Sequence, residues 1–168
     1  AKSFFLNTSY ADFALRIASI QREKGIPTAP WETVFGAGHT RTWDDYTLIG
    51  LTWDNAIDES LSVVGRLSYH HYNYTGRYVY DDGGLYENKD QWNGRWLVNE
   101  IQLTKQFENG HKMVAGAESQ YNIRQDQKNW DEDVYLHFRR HSKSWLIYVQ
   151  DEFALTENLI VNAGVRRD

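Results

Sequence analysis

Residues 144–168, SWLIYVQDEFALTENLIVNAGVRRD, alternate apolar and polar positions on either side of a short polar break. Ile147, Val149 and Phe153 fall on one side of the first run, and Tyr148, Gln150 and Glu152 on the other. Beyond Thr156–Asn158, Leu159, Val161, Ala163 and Val165 alternate with Ile160, Asn162, Gly164 and Arg166. Period-two alternation of this length predicts a two-stranded hairpin. The same period places Phe13, Leu15 and Ile17 opposite Ala14, Arg16 and Ala18, and Met113, Ala115 and Ala117 opposite Val114, Gly116, Glu118 and Gln120. Eight strands are predicted, near 2–10, 12–22, 46–54, 61–75, 94–107, 111–124, 144–154 and 158–167. Helical spacing fits almost nowhere.

The predicted connections alternate in length. Those near Ala11 and at 55–60, 108–110 and 156–158 are short; those at 23–45, 76–93 and 125–143 are long. In an up-and-down antiparallel sheet successive connections lie at opposite ends, so the short ones gather at one end and the long ones at the other. Loops beyond about 12–15 residues are uncommon in compact domains unless they serve a function or are disordered. Short turns at one end, long loops at the other, one apolar and one polar face describe an outer-membrane barrel. The expected fold is therefore all-β: an antiparallel up-and-down transmembrane β-barrel segment of about eight strands. A soluble lipocalin-like binding barrel would share the alternation.

Facing follows from the period. Leu15, Ile49, Leu67, Leu97, Ile101 and Val161 are expected toward lipid. Arg16, Arg66, Glu100, Glu118, Gln150 and Arg166 are expected toward a wet lumen.

Composition sharpens this picture. The 7 Trp, 11 Tyr and 7 Phe stand beside 41 charged residues, 18 Lys+Arg and 23 Asp+Glu. Rings with polar tips suit boundaries between apolar and wet surroundings. The clusters YHHYNY (69–74), WNGRW (92–96) and WDDY (43–46) are expected at the interfacial girdles. A net charge of −5 argues against a nucleic-acid partner. The absence of cysteine removes disulfides and thiolate metal sites.

No catalytic constellation is present, so the chain is not expected to be an enzyme, and no cofactor is expected. FGAGH (35–39) lacks the third glycine and helix of a phosphate loop. His70 and His71 are adjacent and would face opposite sides of a strand, so they cannot readily chelate one metal. The acids at 81–82 and 131–133 lack the spacing of a calcium loop. FRRHSK (138–143) is a basic patch that can face lipopolysaccharide phosphates or water. Tyr78, Tyr80, Tyr86, Trp92 and Trp130, in or beside the long loops, are the ligand-binding candidates.

The last hairpin resembles that of TonB-dependent outer-membrane receptors. The matching positions are Tyr148, Gln150, Asp151, Glu152 and Phe153, then Gly164, Arg166 and Asp168; Arg167 stands where that family usually has an aromatic. EKGIPTAPWETVFG (23–36) and the stretch 94–127, with Glu100, Gly116 and Glu118, are similar to earlier segments of the same barrel. The resemblance implies a Gram-negative outer-membrane location, outer-membrane lipid around the wall, and uptake of a nutrient such as a siderophore, cobalamin or another scarce solute captured by extracellular loops. It further implies a 22-stranded parent barrel, of which about eight strands are an internal segment with no plug domain. The TonB complex would then act only through a plug and coupling segment outside residues 1–168. A complete eight-stranded outer-membrane protein with an adhesion or surface-binding role is the alternative.

Overall fold

A computed structural model describes residues 1–168 as one eight-stranded antiparallel sheet in which every strand pairs with its sequence neighbours. The strands are β1 (Lys2–Tyr10), β2 (Phe13–Gly25), β3 (Arg41–Ala56), β4 (Leu61–Asp81), β5 (Leu85–Gln106), β6 (Lys112–Trp130), β7 (Val134–Thr156) and β8 (Leu159–Arg167). β1 and β8 are the two edges and do not pair, so the sheet is an open wall and neither a closed eight-stranded barrel nor a lipocalin-like one.

The tight turns at 11–12, 57–60, 107–111 and 157–158 lie at one end, opposite the connections β2–β3, β4–β5 and β6–β7. At the short-turn end Asp58 Oδ1 accepts from the Ser60 and Leu61 amides at 2.7 and 2.9 Å, an Asx turn that closes β3–β4.

Two of the long connections take an unexpected form. Residues expected as loops at 76–93 and 125–143 are strands that run on to three-residue turns at 82–84 and 131–133. β4, β5 and β7 are consequently 21, 22 and 23 residues long, roughly 70 Å at about 3.3 Å per residue. Cross-strand pairing continues through Tyr78↔Asn88 and Tyr80↔Tyr86, because Tyr, Val and Trp in this stretch favour a pleated, paired backbone over a loop. Only 26–40 is a true loop. It extends the edge of β4 above the point where β3 ends: the Val34 amide donates to Val79 O at 2.9 Å, and the Val79 amide donates to Thr40 Oγ1 at 3.2 Å.

The register sorts the side chains. Leu15 pairs with Leu51, Leu51 with Leu67, Leu67 with Asn99 and Asn99 with Ser119, so Leu15, Ile49, Leu67, Leu97, Ile101 and Val161 share one face. Arg66 pairs with Glu100 and Glu100 with Glu118; Arg16, Gln150 and Arg166 have the same parity and share the other face.

Only 7 of 168 residues are buried, so the wall has no core of its own. Ile101, Ile147, Leu67 and Val165 are 46–67% exposed. A face this apolar requires a non-aqueous surrounding.

Small residues on the polar face admit rings from neighbouring strands. Tyr148 of β7 crosses Gly116 of β6, and its hydroxyl donates to Gln102 and Glu100 of β5 at 3.1 and 3.3 Å. Glu100 also accepts from Arg66 Nη1 at 2.7 Å, which joins β4, β5 and β7 through one carboxylate. A Cβ on Gly116 would collide with the Tyr148 ring. Gly116→Ala should therefore destabilise the folded protein by about 1–3 kcal/mol. Urea unfolding from detergent should show the loss, and Gly116→Ala in a Tyr148→Ala background should cost much less. Equal costs in both backgrounds would rule out the collision.

The β6–β7 turn carries a pH dependence. Asp131 accepts from the Asp133 amide at 3.0 Å and from the Tyr135 hydroxyl at 2.7 Å. These bonds hold its carboxyl below the ordinary range, the backbone amide contributing most, and the Tyr135 phenol is pushed up to about 12. A depressed carboxyl stabilises the turn above the unfolded value of about 3.9, and that contribution is lost as pH falls through the folded value. Exchange of the Asp133 amide should accelerate, after correction for intrinsic chemistry, only below about pH 4. An unchanged protection factor down to pH 2 would contradict the bond.

Candidate functional site: an aromatic wall on the polar face

The even-numbered residues of β4 from His70 to Tyr80 stand on the polar face, in register with even-numbered residues of β5. Because the period is strict, His70, Tyr72, Tyr74, Tyr78 and Tyr80 form a column beside Trp96, Trp92 and Tyr86. Gly76 interrupts the column, and the Tyr74 and Tyr78 side chains close over it with their hydroxyls hydrogen-bonded.

The lower part of the wall is clamped. His70 stacks on Trp96 at 4.8 Å between ring centres, while its Nδ1 meets the Tyr46 hydroxyl at 2.7 Å and its Nε2 the Ser68 hydroxyl at 2.9 Å. Tyr72 donates to Asp44 Oδ1 at 3.0 Å, and Arg22 holds the other oxygen at 2.7 Å. The upper part is more open. Tyr74 packs on Trp92 at 5.0 Å, and Tyr80 stacks on Tyr86 at 5.5 Å. Trp31, from the 26–40 loop, meets Tyr78 edge-on at 5.6 Å and is 68% exposed. Burial, with a smaller contribution from Tyr74, raises the Tyr78 phenol above its ordinary value, and burial raises that of Tyr80. Both remain neutral hydroxyls at physiological pH.

Two cavities meet at Trp92. One, about 380 Å³, lies between Trp31, Tyr74, Tyr78, Tyr80 and an amide group of Asn88 and Asn129. Asn129 donates to Asn88 at 2.7 Å and to Asp90 at 2.7 Å. The second, about 570 Å³, is lined by Tyr72, Trp92, Trp96 and Phe138 together with Gln120, Asn122, Gln125, Gln127 and Arg140. Flat rings beside carboxamides can grip a ligand through its faces and read its hydrogen-bonding rim.

Of the five residues expected to bind ligand, Tyr78, Tyr80 and Trp92 line one cavity, and Tyr86 stacks on Tyr80. They stand on strands, not in loops. Trp130 lies on the opposite face, paired with Lys89 and covered by Lys128 Nζ at 4.3 Å. The reason is a β-bulge: Trp96 pairs with Asn122 but Arg95 with Arg124, so Ile123 is an extra residue that inverts the parity of upper β6. The expected girdle clusters are likewise divided by the pleat. Tyr72, Tyr74, Trp92 and Trp96 belong to the polar-face wall, whereas Tyr69 and Trp43 share the apolar side. Sequence reasoning missed Tyr72, Tyr74, Trp96 and Trp31 as parts of one site. The alternation from 70 to 80 signals the first two; nothing local signals Trp31.

The sheet is an open antiparallel wall that carries its aromatic column on the polar face at the long-connection end. A search of curated proteins finds no match to this sequence. The sequence profile of the family described as TonB dependent receptor-like, beta-barrel matches residues 3–168. That family comprises receptors and transporters of the Gram-negative outer membrane rather than enzymes. Its profile accounts for every strand of the sheet, and the chain belongs to the TonB-dependent receptor β-barrel family.

Proposed function

We propose that this chain forms part of the wall of an outer-membrane receptor that captures a scarce nutrient and passes it inward with energy from the TonB complex. The observation that carries the reading is the aromatic wall, placed on the polar face at the long-connection end. In this reading the apolar face meets lipid and the polar face lines the lumen. A bilayer-spanning strand needs about 9–11 residues, so the upper half of β4, β5 and β7 stands clear of the membrane and presents the wall to the outside. Arg66, Glu100, Glu118, Gln150, Arg166 and Arg16 then lie deeper in the lumen.

The ligand favoured by this surface is a small solute with flat or ring faces and a hydrogen-bonding edge, a description met by siderophores, cobalamin and sugars. Neutral phenols and carboxamides dominate the wall, so binding should depend only weakly on salt. The test screens the natural receptor by calorimetry against ferric siderophores, cobalamin and oligosaccharides, then measures energised uptake of any binder by cells. Binding by one class, with uptake abolished when the TonB system is removed, is the expected result. Uptake that persists without that system would reject the mechanism.

A further inference from the structure

The bulge at Ile123 does more than displace Trp130. It rotates Arg124, Asp126 and Lys128 onto the apolar side of the sheet, where the register sets Asp126 beside Arg139 and Lys128 beside His137. These side chains border a cavity of about 330 Å³ that no apolar residue lines. Asp126 is its one carboxylate, bound to Arg124 Nε at 2.6 Å. Lys128 and Arg139 make no ion pair, and the Nε of neighbouring Arg95 is buried without a partner.

Position gives the cavity its meaning. Along the same side of β7 the chain reads Val149, Ile147, Trp145, Lys143, His141, Arg139 and His137 toward the long-connection end. Lys143 lies over the Tyr121 ring at 5.0 Å, level with the aromatic step. Apolar, then aromatic, then cationic is the order met in passing from hydrocarbon through the interface to headgroups. Guanidinium forks and an ammonium group bind phosphate through charge-assisted bonds.

We infer that this cavity binds the phosphate of an outer-leaflet phosphoglycolipid, with Arg124, Lys128 and Arg139 as the binding residues. The site rests on the reading that the apolar face meets lipid. Lipid is the source because the register sets Asp126, Lys128, His137 and Arg139 on the apolar side of the wall, continuous with Lys143, Trp145 and Ile147; Arg124 and Asp126 also border the larger aromatic cavity, whereas Lys128 and Arg139 do not.

The test places the natural receptor in phosphatidylcholine nanodiscs containing lipid A or its dephosphorylated form, and reads bound lipid by native mass spectrometry. Arg124→Gln/Lys128→Gln/Arg139→Gln should weaken lipid A retention roughly tenfold or more. Lys105→Gln/Lys112→Gln, at the short-turn end, should leave it unchanged. Asp126→Asn, which removes the competing carboxylate, should strengthen retention severalfold and keeps the inference testable even if the triple variant fails to fold. Equal retention of the dephosphorylated lipid, or unchanged retention in the Asp126→Asn protein, would overturn the site. Receptor that inserts normally but shows either result leaves the facing intact; receptor that does not insert at all overturns both.

Discussion

Ile101→Arg is expected to lower the stability of the inserted receptor by about 2–4 kcal/mol, while Val98→Arg on the same strand costs no more than about 0.5 kcal/mol. Both changes replace an aliphatic side chain with the same cation. They differ only in face: Ile101 pairs with Gly65 and Ala117 on the apolar side, and Val98 pairs with Ser68 and Gln120 on the polar side. Ile101 is 52% exposed and its cross-strand partners are the small residues Gly65 and Ala117, so lost packing accounts for little of the difference. The cost arises because hydrocarbon cannot solvate a guanidinium, whereas a wet lumen can. Urea titration of the receptor refolded into vesicles measures both. Equal costs would mean that the two faces meet the same surroundings, and the receptor-wall assignment would fail with them.

Trp92→Ala should produce the largest loss of ligand affinity, roughly thirtyfold or more, because an exposed aromatic ring that a ligand covers becomes the dominant anchor of such a surface. Trp92 borders both polar-face cavities and packs on Tyr74 at 5.0 Å, so its removal opens each of them. Trp130→Ala is the control, since the bulge puts that ring on the other face. Gly76→Ala should act in the same direction as Trp92→Ala without deleting any ring of the wall. A Cβ there would press against the Tyr78 ring and the Tyr74 hydroxyl, and these side chains would have to shift from their places in the wall. Calorimetry with the screened ligand gives all three values. A Trp130→Ala loss as large as that of Trp92→Ala would move the site off the polar face.

The strands and their two faces were legible in the residues because a strand exposes alternate side chains to opposite surroundings. Leu15 against Arg16 and Ile101 against Glu100 record that difference in every short stretch. Up-and-down order followed as well, since tight turns such as that at Asp58 and Ser60 can only join antiparallel neighbours. The lengths of the strands were not legible. Residues 76–93 contain Gly76, Gly83 and Gly84 with several acids, a composition that fits a loop, yet cross-strand pairing carries the ladder up to Asp81↔Leu85. Nor did the local pattern mark Ile123 as a bulge. Whether one residue is left over is settled jointly by pairing to β5 and to β7, and that choice alone decides that Trp130 and Lys128 stand on the apolar side while Asn129 stands on the polar side. Trp31 is a similar case: it lies 47 residues from Tyr78 in the chain, and only the hydrogen bonds of Val34 and Thr40 to Val79 bring its loop against that ring. Alternation is a property of neighbours in sequence; strand reach, bulge position and the assembly of one site from distant residues belong to partners that meet only when the sheet has formed.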